Sequence, residues 1–172
     1  EVSERPDADA LIARHPQWII DALADVLPAE ELDDALAADN VAPTPHLVVR
    51  PGLAEVSELG GEPARWSQYG AYAGGDPGQL AAVAQGRAGV QDEGSQLVAL
   101  ALSRVEAPSG WWLDLCAGPG GKSALLAGLA REQGGRLVAA ELQEHRARLV
   151  AENLRAYPTP APVCLVADGT RP

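Results

Sequence analysis

One short run holds most of the residues that can do chemistry: Leu113-Asp-Leu-Cys-Ala-Gly-Pro-Gly-Gly-Lys-Ser123. An apolar stretch precedes it and a helical pattern follows it, so it reads as a strand-to-helix turn. In a parallel α/β sheet that turn lies at the carboxyl end of the first strand, where ligands bind. Glycines there let the backbone approach a ligand closely, and the helix start favours a negative group. Two phosphate-binding patterns nearly match. A P-loop needs Gly where Cys116 stands, and the dinucleotide fingerprint needs a third Gly where Ser123 stands. Two more acids close expected strands. Glu141 falls about twenty residues after the glycine pair, where an acid accepts ribose hydroxyls. Asp168 ends the third strand, where a carboxylate can accept from an adenine amino group. Together Asp114, Glu141 and Asp168 fit an adenosine without phosphates, which so many carboxylates would repel. They would attract an ammonium, and Lys122 can meet a carboxylate.

The elements that must position these residues are legible in the pattern. Apolar residues recur at three- and four-residue steps over about 9–37, which predicts helices, with Pro16 at the first turn of one and Pro28 opening another. His46–Arg50 reads as a short strand between prolines, 52–60 as a helix ending at Gly60-Gly61, and 79–84 as a further helical stretch. Residues 62–78 are rich in Gly and Pro and carry no clear pattern. A helix of about twelve residues follows Asp92, with Asp92 or Ser95 as its cap. Then come strand 111–115, helix 121–131, strand 136–141, helix 143–156 and strand 163–167. This alternation predicts a parallel sheet with right-handed crossovers. The expected organisation is a mostly helical α+β region over 1–88, then an α/β region over 89–172.

Composition narrows the classes. The 172 residues carry a formal charge of −11, which is unfavourable for binding polyanions. Phe is absent, so four Trp must supply most of the aromatic core. Two Cys, neither in a C-x-x-C pair, make no disulfide framework and suit a cytoplasmic setting. No apolar run is long enough to span a membrane, no signal segment opens the chain, and three scattered His do not suggest a metal site. Met is absent even at position 1, and this is read as the mark of a piece of a longer chain.

The wording of the turn resembles the Sun-type (Fmu-like) RNA cytosine-C5 methyltransferases, which include rRNA small-subunit methyltransferase B. Their loop reads D-x-C-A-[AG]-P-G-G-K and is matched at every fixed position. Gly89-Val-Gln-Asp-Glu-Gly-Ser-Gln96, Arg14-His-Pro-Gln-Trp18 and Val166-Ala-Asp-Gly-Thr170 resemble three further family segments. The resemblance implies the first half of a Rossmann-like fold that binds S-adenosyl-L-methionine. The cofactor set is then Asp114, Cys116, Ala117, Gly118, Pro119, Gly120, Gly121, Lys122, Glu141 and Asp168. It further implies RNA, of the ribosomal kind, as the partner, with docking help from the N-terminal region. The family's catalytic Pro-Cys and Thr-Cys-Ser segments have no match here, so no catalytic residue is assigned to Cys116 or Cys164, and the chain alone is expected to be inactive. Some roles stay open. Asp114 fits a loop cap as well as a ligand-positioning acid, Lys122 an exposed helix residue, and Gln91 and Ser95 fit helix caps better than substrate contacts. Glu144–Arg148 reads as a solvated helix face. Two other readings remain: a module that binds cofactor or RNA without turnover, and an NAD- or ATP-binding enzyme of another class.

Overall fold

Proline sets the first helix starts. The computed structural model describes residues 14–106 and 109–171. Helix α1 (Gln17–Ala24) follows Pro16, and α2 (Ala29–Asp39) follows Pro28. Both prolines have the extended ψ of an N-cap, where a missing N–H costs nothing. Glu30 and Glu31 complement the dipole in the first turn of α2. Ile20 and Leu36 are buried together with Leu23, Leu32 and Ala37 packed on them. The predicted helical residues 9–13 lie outside the described residues. These helices belong to a compact unit, Glu1–Pro43, and the rest of the chain to a second unit, Thr44–Pro172. The division expected at 88/89 lies inside the second unit.

That unit begins with strand rather than helix. Strands β1 (His46–Val49), β2 (Glu62–Pro63), β3 (Gly70–Tyr72) and β4 (Ala88–Val90) form an antiparallel sheet in the order β2-β3-β1-β4. His46 pairs with Tyr72 on one side of β1, and Leu47 with Val90 on the other. The helix expected over 52–60 shrinks to a single 3-10 turn, Val56–Leu59, closed by Gly60. A four-residue helix α3 (Ala81–Ala84) precedes β4. The described helical part of the N-terminal region is thus mainly 17–39, because two- and three-residue strands leave too short a run for periodicity to register.

The remainder follows the predicted alternation. Helix α4 (Glu93–Ser103) is capped by Asp92, whose carboxylate accepts from the Ser95 amide. Strand β5 (Trp111–Asp114), helix α5 (Gly121–Glu132), strand β6 (Arg136–Glu141), helix α6 (Glu144–Leu154) and strand β7 (Val163–Val166) complete it. The sheet is parallel in the order β5-β6-β7, with Asp114 beside Ala139 and Glu141 beside Val166. This register brings the carboxyl ends of the strands to one edge. One core joins the layers: Leu125, Leu126 and Leu129 of α5, Leu137 and Ala139 of β6, Val150 and Leu154 of α6, and Val48 of β1. Each fully buried leucine contributes about 1.5–3 kcal/mol of apolar burial. Among the described residues β5 has no partner on its outer edge. There Leu113 and Leu115 face solvent beside Val98 and Leu102 of α4, around an apolar cleft of about 410 Å³.

Candidate cofactor site

The loop between β5 and α5 is held from below by Asp114. One carboxylate oxygen accepts the Cys116 amide at 3.1 Å, and the other accepts the hydroxyl of fully buried Ser123 at 2.7 Å. Both oxygens therefore serve the loop, which supports the capping role. Ala117 sits in the core and bonds through its amide to the Ala140 carbonyl at 3.1 Å, tying the loop to β6. Cys116 is exposed. Cys164 lies in β7, its thiol 3.4 Å from the Ala147 carbonyl and its pKa raised by burial.

Two glycines are required by geometry. Gly120 has φ +113°, and a Cβ there would lie 2.9 Å from the Val150 Cα and 3.0 Å from the Asn153 Cβ. At Gly118 a Cβ would collide with a carboxylate oxygen of Glu141. That contact defines one end of the site. Glu141, nine-tenths buried, accepts the Gly118 amide at 3.0 Å on one oxygen and the Gln143 amide at 3.0 Å on the other. Arg146 stands 3.6 Å from the same carboxylate and donates to the Gly118 carbonyl at 2.7 Å. The Gln143 amide, with the Gly118 amide and Arg146, outweighs burial and holds the Glu141 carboxyl below its ordinary range. Glu141 therefore presents a charged acceptor, and a carboxylate offers about four lone-pair sites.

Asp168 turns back on its own loop. One oxygen accepts the Thr170 hydroxyl at 2.7 Å and the Thr170 amide at 3.0 Å, and these bonds lower its pKa. This is the side-chain-to-backbone turn that Asp favours, and its second oxygen lies 3.7 Å from Arg171. At the other end of the loop, Lys122 donates to the Ser95 hydroxyl at 3.3 Å. Gly118, Pro119, Gly121, Lys122, Cys116 and Ala117 line a cavity of about 220 Å³ together with Val90, Gln91 and Ser95. The structure thus gathers Cys116 through Lys122, with Asp114 beneath and Glu141 against Gly118.

Three contributors escape the sequence reading. Arg146 belongs to the run taken as a solvated face, but one face of α6 turns it onto the loop; Glu144 and Arg148 do pair in solvent, at 2.6 Å. Asn153 donates to the Pro119 carbonyl at 3.0 Å and accepts from buried Arg50 at 2.8 Å, so the residue that follows β1 steadies the loop through α6. Ser123 enters the sequence patterns as the end of a P-loop match and as the failed third glycine, and neither announces its buried bond to Asp114. The usable signal for Arg146 and Asn153 is that they share a helix face seven residues apart. Among the described residues no three His, Cys, Asp or Glu side chains gather as metal ligands, and no helix is long and apolar enough to cross a membrane.

Three parallel strands, a glycine turn after the first and an acid at the end of the second make a Rossmann-like α/β arrangement. Residues 99–172 match the family model described as 16S rRNA methyltransferase RsmB/F. The chain is 50% identical over 158 residues to two Mycobacterium tuberculosis proteins provisionally named as methyltransferases, MT1451 of strain CDC 1551 / Oshkosh and Rv1407 of strain ATCC 25618 / H37Rv. The match takes in 87% of this chain and 35% of each relative, so the chain spans about a third of their length. The fold also matches the crystal structure of PH0851, with TM-score 0.74 and 21% identity over 99% of this chain and 41% of that one. A methyltransferase homolog from Pyrococcus horikoshii matches with TM-score 0.69 and 20% identity, over 95% of this chain and 57% of that one.

Proposed function

We propose that this chain is the cofactor-holding part of an S-adenosylmethionine-dependent RNA methyltransferase that acts on cytosine C5, with ribosomal RNA as its substrate. The observation that carries the reading is the clasp between the Gly-rich loop and Glu141, which presents an ionised acceptor where a ribose would lie. Phosphate-bearing cofactors suit this wall poorly, since Glu141 and Asp168 both stay charged. The RNA substrate is supported by the family match over 99–172.

In this reading Glu141 accepts the ribose hydroxyls at the lone pairs left by Gly118 and Gln143. Asp168 receives the adenine amino group, and Lys122 neutralises the carboxylate of the amino-acid end. Asp114 and Ser123 keep the loop in shape for close backbone approach. When bound, the cofactor supplies an electrophilic methyl group on a sulfonium. The N-terminal region, 1–88, would assist RNA docking.

Calorimetric titration with S-adenosylhomocysteine, NADH and ATP tests the reading. Micromolar binding of the first alone, weakened about tenfold or more by Glu141→Ala, is the expected result. Preference for NADH or ATP would replace it with a nucleotide enzyme of another class.

A further inference from the structure

Among the described residues that line this cavity, Gln91 has buried side-chain nitrogen and oxygen atoms that go unused. It is 8% exposed, and both its amide nitrogen and its amide oxygen are buried without a hydrogen-bond partner among the described residues. Its backbone is fixed at both ends. The Gln91 amide donates to the His46 carbonyl at 3.0 Å, and the Gln91 carbonyl accepts from the Gln96 side chain at 2.8 Å. The side chain is thereby held in the wall of the 220 Å³ cavity, against the start of α5. A Cβ on Gly121 would lie 3.7 Å from its amide carbon and 3.9 Å from its amide oxygen. Leaving such groups buried and unpaired costs about 1–3 kcal/mol.

The neighbours say what would pair with it. Lys122 and Ser95 line the same cavity, joined at 3.3 Å, and the α5 N-terminus adds partial positive charge. This corner suits a carboxylate. Asp114 already accepts the Cys116 amide and the Ser123 hydroxyl. A primary amide offers both functions, two N–H donors and an acceptor oxygen. We propose that Gln91 contacts the α-amino-acid end of the bound cofactor, its nitrogen donating to the carboxylate beside Lys122 and Ser95 and its oxygen accepting from the ammonium. This rests on the cofactor reading above and deepens it: the adenosine end belongs to Glu141, the amino-acid end to Gln91.

Two ligands separate the two ends. S-adenosylhomocysteine carries both, whereas 5′-methylthioadenosine keeps the adenosine and the thioether but lacks the amino acid. Both are titrated calorimetrically into the wild-type chain, Gln91→Met and Glu141→Ala, with thermal melts of each. Expected for Gln91→Met are a loss of about tenfold or more in S-adenosylhomocysteine affinity, 5′-methylthioadenosine binding within about twofold of wild type, and an undiminished Tm. Glu141→Ala weakens both ligands. If Gln91→Met leaves the ratio of the two affinities unchanged while Glu141→Ala weakens both, this inference falls and the cofactor reading stands. Equal weakening of both ligands with a lowered Tm overturns it in favour of a packing role. Failure of the folded wild-type chain to bind S-adenosylhomocysteine overturns both.

Discussion

The two ends of the loop are bonded in opposite ways. At Gly118 every group is met: Glu141 takes two amides and faces Arg146, and Arg146 takes the Gly118 carbonyl. At Gly121 the nearest buried side chain, Gln91, has nothing. A ligand arriving at the Glu141 end adds to a network already closed, so that end is preorganised and its charge is held by the fold. A ligand arriving at the Gln91 end satisfies groups the fold leaves wanting. The first end sets shape and the second gains most from being filled. The difference also separates an ionised side chain, Glu141, from a neutral one, Gln91.

The strongest way to break this contrast is to move the loop that joins its ends. Gly120→Ala puts a side chain at φ +113° and against α6. It should cost of order 1–3 kcal/mol in stability from backbone strain alone, read by denaturant unfolding, and abolish ligand binding at both ends together. Next in size is Glu141→Ala, with its roughly tenfold loss for any adenosine-bearing ligand. Ser123→Ala should follow. It leaves one Asp114 oxygen without its 2.7 Å partner, and a chemical melt should show a loss of about 1 kcal/mol with weaker binding of both ligands alike.

The smallest effect sharpens the titration difference. The folded Glu141 pKa lies below the ordinary 4.5, so its stabilising share is fully present above 4.5 and is lost as pH falls through the lower folded value. Glu141→Gln should therefore flatten the fall of Tm below pH 4.5 relative to wild type, while Gln91→Met leaves the slope unchanged. Equal slopes in wild type and Glu141→Gln would show that the Gly118 and Gln143 bonds do not favour the ionised carboxylate.

The antiparallel sheet contributes a clasp of its own. Burial pushes the Glu93 carboxyl up, and the Trp66 and Ser67 amides, the Tyr72 hydroxyl and nearby His46 together bring it below its ordinary range. Glu93 thereby pins the 66–67 turn to the start of α4, two residues after Gln91. Nothing in the chain's local pattern announces this, because the partners are more than twenty residues away.

The sequence by itself determined the α/β alternation, the glycine turn and the acids that close the second and third strands. Those signals are local: period 2 or 3.6 within one element, and glycines where the backbone turns sharply or must let another group close. The antiparallel sheet stayed hidden because its strands are only two to four residues long, and pairing across a long gap leaves no period to read. The tertiary structure alone decided which polar groups are spent and which are spare. Asp114, Glu141 and Asp168 look equivalent in sequence, yet the first holds its own loop, the second clasps Gly118 across the sheet and the third bonds within its own turn. Gln91 looks like a cap, yet its side chain lies in a cavity wall, buried and unpaired. A hydrogen bond is a relation between two groups, and which partners a folded chain brings within 3 Å of each other is written in its packing, not in any one segment.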